Sequence, residues 1–241
     1  MSDLTTYIHT DMILCIETST TRCSVAIGWG TEVIAQRAIE APEGGHASAL
    51  APMVEEILQE LKARDLSLRA IAVSAGPGSY TGLRIATSLA KGLCLGLRVP
   101  LIAVDTLELL ARGAIVQLPE GSPVTIVPML DARRMEVYTA QFTAQGQRLS
   151  EDAPLILDEQ ASPLQQSKYI LVGNGATKAR GLWPEMDYEV WDEGFAPEAT
   201  IMIPLATAHY EAKDFVDTAY WTPNYLKEYV AVIAKNKVLG R

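Results

Sequence analysis

Apolar and polar positions in the first part of the chain come in short blocks. Residues 12–17 (MILCIE) are apolar, 18–22 are polar, and 23–29 (CSVAIGW) and 32–39 (EVIAQRAI) return to alternation. Period-two alternation between turn residues predicts three strands, and the tight spacing joins them into an antiparallel meander over about 12–39. After a break at residues 42–45 the period changes. Leu50, Met53, Val54, Ile57, Leu58 and Leu61 recur at three- and four-residue spacing, with Glu55, Glu56 and Glu60 opposite them, which predicts an amphipathic helix. Residues 70–75 (AIAVSA) show no polar alternation and read as a strand covered on both faces. Ser79 is placed to cap a helix running to about Gly96, with Leu83, Ala86, Ala90, Leu93 and Leu97 as its core stripe. A strand over 100–104 and a helix opening at Asp105 or Thr106 complete this block.

A turn-rich stretch at 118–123 precedes a second meander over 124–130 and 135–142, a strand near 154–157 and a buried strand over 169–172. Weaker helical patterns cover 175–182 and 200–213. The division this predicts is an N-terminal extension over 1–11, a first lobe over 12–118 and a second, less regular lobe over 119–241. Three strands, helix, strand, helix, strand, helix is the order of a ribonuclease H-like lobe. The expected fold class is therefore α/β, two ribonuclease H-like lobes of the actin, sugar kinase and Hsp70 (ASKHA) superfamily, each a mixed sheet with helices packed on it.

Composition narrows the function classes. With 49% hydrophobic and 20% charged residues over 241 positions, the chain has enough apolar side chains to fold nearly throughout. A net charge of -9 repels phosphate backbones on average, so contact with RNA is expected to be borrowed from a partner. Cys15, Cys23 and Cys94 form no CxxC pair and read as buried thiols. The first residues lack a basic, then apolar, leader, and no apolar run reaches the roughly 20 residues of a membrane span, so a cytoplasmic protein without a membrane anchor is the expectation.

The most distinctive string is SAGPGSYTGLR at 74–84, a strand end, a glycine loop and a helix start. Gly76 and Gly78 open backbone angles closed to other residues, and the helix start aims amides at whatever lies above it; an anion site and a tight strand-to-helix connection both fit. The string resembles the TsaB (YeaZ) family closely. So do Ile16-Glu17-Thr18-Ser19-Thr20 with the following 23–26 (CSVA), the hairpin 130–138 (LDARRMEVY) and the closing Pro223-Asn224-Tyr225-Leu226-Lys227, which together span nearly the whole chain. In the wider superfamily the first turn holds phosphate with an aspartate and a glycine. Here those positions are Glu17 and Ser19, which makes Glu17, Thr18, Ser19, Gly76 and Gly78 the candidate nucleotide contacts and argues for a weak grip. Asp131 and Arg133 are expected to form a structural ion pair at the hairpin, and the closing segment is expected to dock over the lobe.

The resemblance implies a non-catalytic subunit that pairs with a TsaD-like catalytic paralogue in placing threonylcarbamoyl on the adenosine beside the tRNA anticodon. TsaD is expected to hold a metal through two histidines four apart; His46 matches the first, but Leu50 takes the second position and has no lone pair. The chain is thus expected to carry no metal, cofactor or catalytic residue of its own, with ATP and the metal on partner subunits. A TsaE-like ATPase, a TsaC-type synthase supplying threonylcarbamoyl-adenylate, tRNA reached through the complex, and a homodimer when alone complete the implied partners. The docking surface is expected on the helix from Ser79, at Leu83, Ala86, Thr87, Ser88, Lys91, Gly92, Leu95 and Gly96, with Gly92 and Gly96 permitting close approach. A stand-alone small-molecule kinase and a hydrolase or protease are the alternatives. The first would need phosphate loops in both lobes. The second lacks a GxSxG and a histidine placed beside a serine.

Overall fold

The computed structural model describes residues 10–40, 45–159, 164, 168–192 and 194–226. The extension expected over 1–11 lies outside the described residues except for Thr10 and Asp11, and Asp11 already opens the first strand. Strands β1 (Asp11–Glu17), β2 (Arg22–Trp29) and β3 (Glu32–Glu40) form the antiparallel meander, with Cys15 opposite Ala26 and Ser24 opposite Ala38. Helix α1 (His46–Ala63) leads to β4 (Ser67–Ser74), which lies parallel to β1. Helix α2 (Tyr80–Leu97) then leads to β5 (Leu101–Val104), parallel to β4, giving a five-stranded sheet in the order β3-β2-β1-β4-β5.

Helix α3 (Thr106–Ile115) crosses to the second sheet, which holds β6 (Val124–Asp131), β7 (Glu136–Thr139), β8 (Phe142–Thr143), β9 (Ala153–Ile156), β10 (Lys168–Val172) and β11 (Tyr188–Trp191). Its order is β11-β10-β6-β7-β9, with β8 paired to β6. Helix α4 (Ala199–Glu211) follows. Both sheets are mixed and both carry helices, which is the two-lobed ribonuclease H-like arrangement of the ASKHA superfamily.

Alternation along β1 decides the layers. Met12, Leu14 and Ile16 point to the outer face, where Leu50, Val54 and Ile57 of α1 and Ala86 and Ala90 of α2 cover them. Ile13 and Cys15 point inward with Ala26, Ala70 and Ala72, and there Met202, Ile203 and Ala206 of α4 close the core. Helix α3 serves both lobes: Leu109 enters that inner core, while Leu107, Leu110, Ala111 and Ala114 pack on Ile126, Leu130, Phe142 and Ile170 of the second sheet. All three cysteines are buried and free. Among the described residues no helix is long and apolar enough to cross a membrane.

Three expectations need correction. A division at 118/119 assigns α4 to the second lobe, yet α4 packs against β1, β2 and β5 of the first sheet, so the chain crosses back. The helical pattern over 175–182 yields only a four-residue 3₁₀ turn at Ala176–Ala179, because Gly181 takes a left-handed conformation and Pro184 follows. Strand β11 went unpredicted; it gains its register only by lying parallel to β10, with Leu171 opposite Val190.

Candidate functional site: the outer helices and the first turn

Two regions of the first lobe concentrate the family-like residues: the junction of the β1–β2 turn with the glycine loop, and the outer surface of α1 and α2. At the junction Glu17 is wholly buried. The Ser19 amide donates to Glu17 Oε1 at 2.5 Å, and the Ser74 hydroxyl donates to Oε2. Burial pushes the Glu17 carboxyl up to about 7, against the Ser19 and Thr18 groups beside it, which pull it down. The Thr18 hydroxyl donates to the Gly82 carbonyl at 2.9 Å, and the Ser79 amide donates to the Ser19 carbonyl at 2.7 Å.

These contacts explain the glycines. A Cβ on Gly78 would stand 2.6 Å from the Ser19 carbonyl oxygen, and one on Gly76, whose φ is +93°, would stand 2.5 Å from the carbonyl oxygen of Asn224. The structure therefore brings Glu17, Thr18, Ser19 and Gly78 together, with Gly76 beside them, but as an internal joint. The amides that would face a phosphate are spent: Ser79 N–H on Ser19, and Gly82 N–H on the capping Ser79 Oγ at 3.2 Å. Ser19, only 2% exposed, is buried at this junction.

The closing segment seals the same joint. The Asn224 amide donates to the Ala75 carbonyl at 2.6 Å, and the Tyr225 ring lies 4.8 Å from the Tyr80 ring. Tyr80 in turn accepts from Arg84 Nη1 at 2.9 Å. Lys227 lies outside the described residues.

Helices α1 and α2 run side by side on the outer sheet face. Between them lies an apolar trough in two adjoining parts of about 370 Å³ each, sharing Ala51 and Leu89. Leu50, Ile85 and Ser88 line the part nearer the joint, and Val54, Leu58 and Leu93 line the other. Beyond it the end of α2 is bare: Leu95 is 80% exposed, and Gly92 and Gly96 have open space where a Cβ would point.

The residues expected to dock a partner divide on burial. Gly92, Leu95 and Gly96 are on the surface. Leu83 at 0%, Ala86 at 1% and Thr87 at 7% exposure are not; they face the sheet of their own lobe, and the expectation for them is corrected. Lys91 is also committed, donating to the carbonyls of Trp221 at 2.6 Å and Ala219 at 3.2 Å. Ser88 was expected on this face and lines the trough; Ala51 and Leu89 were missed, although Ala47, Ala51, Val54 and Leu58 repeat at three- and four-residue steps on α1. His46 is buried, and its Nε2 has no hydrogen-bond partner among the described residues; Leu50 lies one turn on in the core.

In the second-lobe hairpin the expected Asp131–Arg133 ion pair is replaced. Asp131 pairs with Lys178 at 2.8 Å and accepts only the backbone amide of Arg133, at 2.6 Å. Arg133 and Arg134 both have positive φ, so the turn carries their side chains away from the carboxylate.

A family model described as TsaD, tRNA N6-adenosine threonylcarbamoyltransferase, matches residues 31–188. The tRNA threonylcarbamoyladenosine biosynthesis protein TsaB of Escherichia coli K12 is 31% identical over 231 residues, 91% of this chain and 96% of that protein. Its namesake in Haemophilus influenzae is 30% identical over 90% of this chain and 94% of its own. The solved structure of YeaZ from Pseudomonas aeruginosa superposes with a TM-score of 0.74 at 28% identity, covering 90% of this chain and all of that one. Extending across both lobes, these likenesses mean that the chain belongs to the TsaB family of tRNA threonylcarbamoyladenosine biosynthesis proteins.

Proposed function

We propose that this protein is the non-catalytic partner of a TsaD-like transferase in the modification of the adenosine beside the tRNA anticodon, and that it holds that partner on the outer surface of α1 and α2. The observation that carries the reading is the trough between the two helices. Its floor is apolar, at Leu50, Ile85 and Leu89, and it continues into the exposed Leu95 and the small residues Gly92 and Gly96. A surface helix pair left this apolar is a docking face for other helices. A paralogue of the same fold would bring its own equivalent pair, making a four-helix contact. Without it, a second copy of this chain would fit more weakly as a homodimer.

The chemistry then belongs to the partner. Leu50, in place of a second histidine, leaves His46 unable to share an ion with it, which supports a metal on the TsaD-like subunit. Glu17 and Ser19, in place of an aspartate and a glycine, disfavour the stand-alone kinase, and ATP use falls to a TsaE-like ATPase. Threonylcarbamoyl-adenylate from a TsaC-type synthase would be the donor, and the charge of -9 supports contact with tRNA through the complex.

Co-purification with the TsaD-like protein of the same organism tests this. Ala51→Glu with Ser88→Glu places two charges in the trough at exposed positions. The variant is expected to melt cooperatively like the parent and to lose at least tenfold in pairing affinity, about 1.4 kcal/mol. Undiminished pairing would move the contact elsewhere.

A further inference from the structure

Away from the outer helices, one cluster of charges ties the start of α3 to the second lobe. Asp105 ends the β5 connection and caps α3, its Oδ1 accepting the Glu108 amide at 2.7 Å. The same oxygen meets Arg148 Nη2 at 2.9 Å. Arg148 belongs to the segment between β8 and β9. Its Nη1 bonds Asp152 Oδ1 at 2.5 Å, and its guanidinium lies 4.7 Å above the centre of the Phe142 ring, which fixes its plane. Two carboxyls therefore share one cation, and the Asp152 side chain is only 10% exposed.

The surrounding charges offer no relief. On α3, Glu108 and Arg112 pair with each other at 3.6 Å, and Arg112 packs on Gly146. The neighbouring loop at 75–79 contributes no charge, only the Gly76 carbonyl, which accepts the Thr106 amide at 3.0 Å.

We infer that Asp105, Arg148 and Asp152 form a proton-operated clasp between the lobes, closed when Asp105 carries a proton and loosened when it is ionised. With Asp105 protonated, Arg148 faces a single carboxylate charge. With Asp105 ionised, one guanidinium faces two negative charges in a partly shielded place. The Asp105 carboxyl is raised to about 7, by burial first and then by the bond and charge of Asp152. The sign follows. Asp105 binds its proton more tightly in the closed protein than in an open chain, so the clasp's contribution is complete below about 4 and is lost as pH rises through about 7. Because Thr106 bonds Gly76, loosening the clasp would also be felt at the loop that starts α2.

Amide hydrogen exchange on the full chain tests the clasp, with rates corrected for intrinsic exchange at about pH 6 and about pH 8. In the parent protein, opening of the Glu108 amide and of residues 148–152 is expected to rise about tenfold between the two pH values. Asp152→Asn removes the charge beside Asp105 but leaves its burial, and is expected to show a clearly smaller rise than the parent. Asp105→Asn, which keeps a capping side chain but removes the titrating group, is expected to be flat, so the test survives the misfolding of either variant. Glu17→Gln, altering the other raised carboxyl, is expected to leave the local tenfold change intact. Equal parent protection at both pH values, or full pH dependence in either clasp variant, would overturn the inference.

Discussion

Thr18 and Gly82 interlock: the Thr18 hydroxyl donates to the Gly82 carbonyl, while a Cβ on Gly82 would fall 2.0 Å from the Thr18 carbonyl oxygen. Backbone meets backbone here, so no side chain can swing aside. Gly82→Ala is expected to destabilise the protein by about 3 kcal/mol, read from the shift of a urea unfolding midpoint. A change below about 1 kcal/mol would mean that the joint yields.

Lys91 holds the segment before the closing residues by two carbonyls. Lys91→Met keeps the aliphatic stem and removes the donors, and is expected to cost about 1–2 kcal/mol. The cost should be local, so limited proteolysis is expected to cut near residues 217–221 sooner in the variant, with α2 unchanged by circular dichroism.

Gly92 and Leu95 mark how far the docking surface extends. Leu95→Glu adds charge at a position 80% exposed and is expected to leave the melting temperature within about 2 °C of the parent. Affinity for the TsaD-like partner, measured by titration calorimetry, is expected to fall at least fivefold. Ala86→Glu is no substitute for this test, since at 1% exposure it would bury a charge and unfold the lobe.

Glu17 gives the fold a second pH dependence. Its folded value of about 7 lies above the ordinary 4.5, so the stability it contributes is present below about 4.5 and is lost as pH rises toward 7. Glu17→Gln can accept from Ser19 and donate to Ser74, and is expected to remove up to about 3 kcal/mol of that slope. Chemical denaturation at several pH values between 5 and 8 would show it. A parallel slope in both proteins would place the titration elsewhere.

Much of the first lobe was readable because its signals are local. The alternation of β1 to β3, the stripe of α1 and the caps Ser79 and Asp105 each act within a few residues, and Ser79 does accept the Gly82 amide. Burial on α2 was harder. Its sequence is apolar or small on nearly every side, so periodicity could not tell Ala86, which meets the sheet, from Gly92, which meets solvent. The partner of Asp131 was hidden for another reason. Arg133 is its neighbour in sequence, but Lys178, 47 positions away, reaches it only because the 3₁₀ turn after β10 is folded against the hairpin. Likewise the first turn carries a phosphate-loop pattern, and only the fold reveals that the Ser79 amide bonds the Ser19 carbonyl across it.

The return of α4 to the first sheet also bears on how the chain is made. Met202, Ile203 and Ala206 cover Ile13, Ala26 and Ala70, residues synthesised far earlier. A chain emerging from the ribosome therefore shows one greasy side of its oldest sheet until the whole second lobe has been translated. The first lobe cannot be cut free as one continuous piece of sequence, and aggregation or chaperone capture during synthesis should centre on the strands that wait longest for their cover.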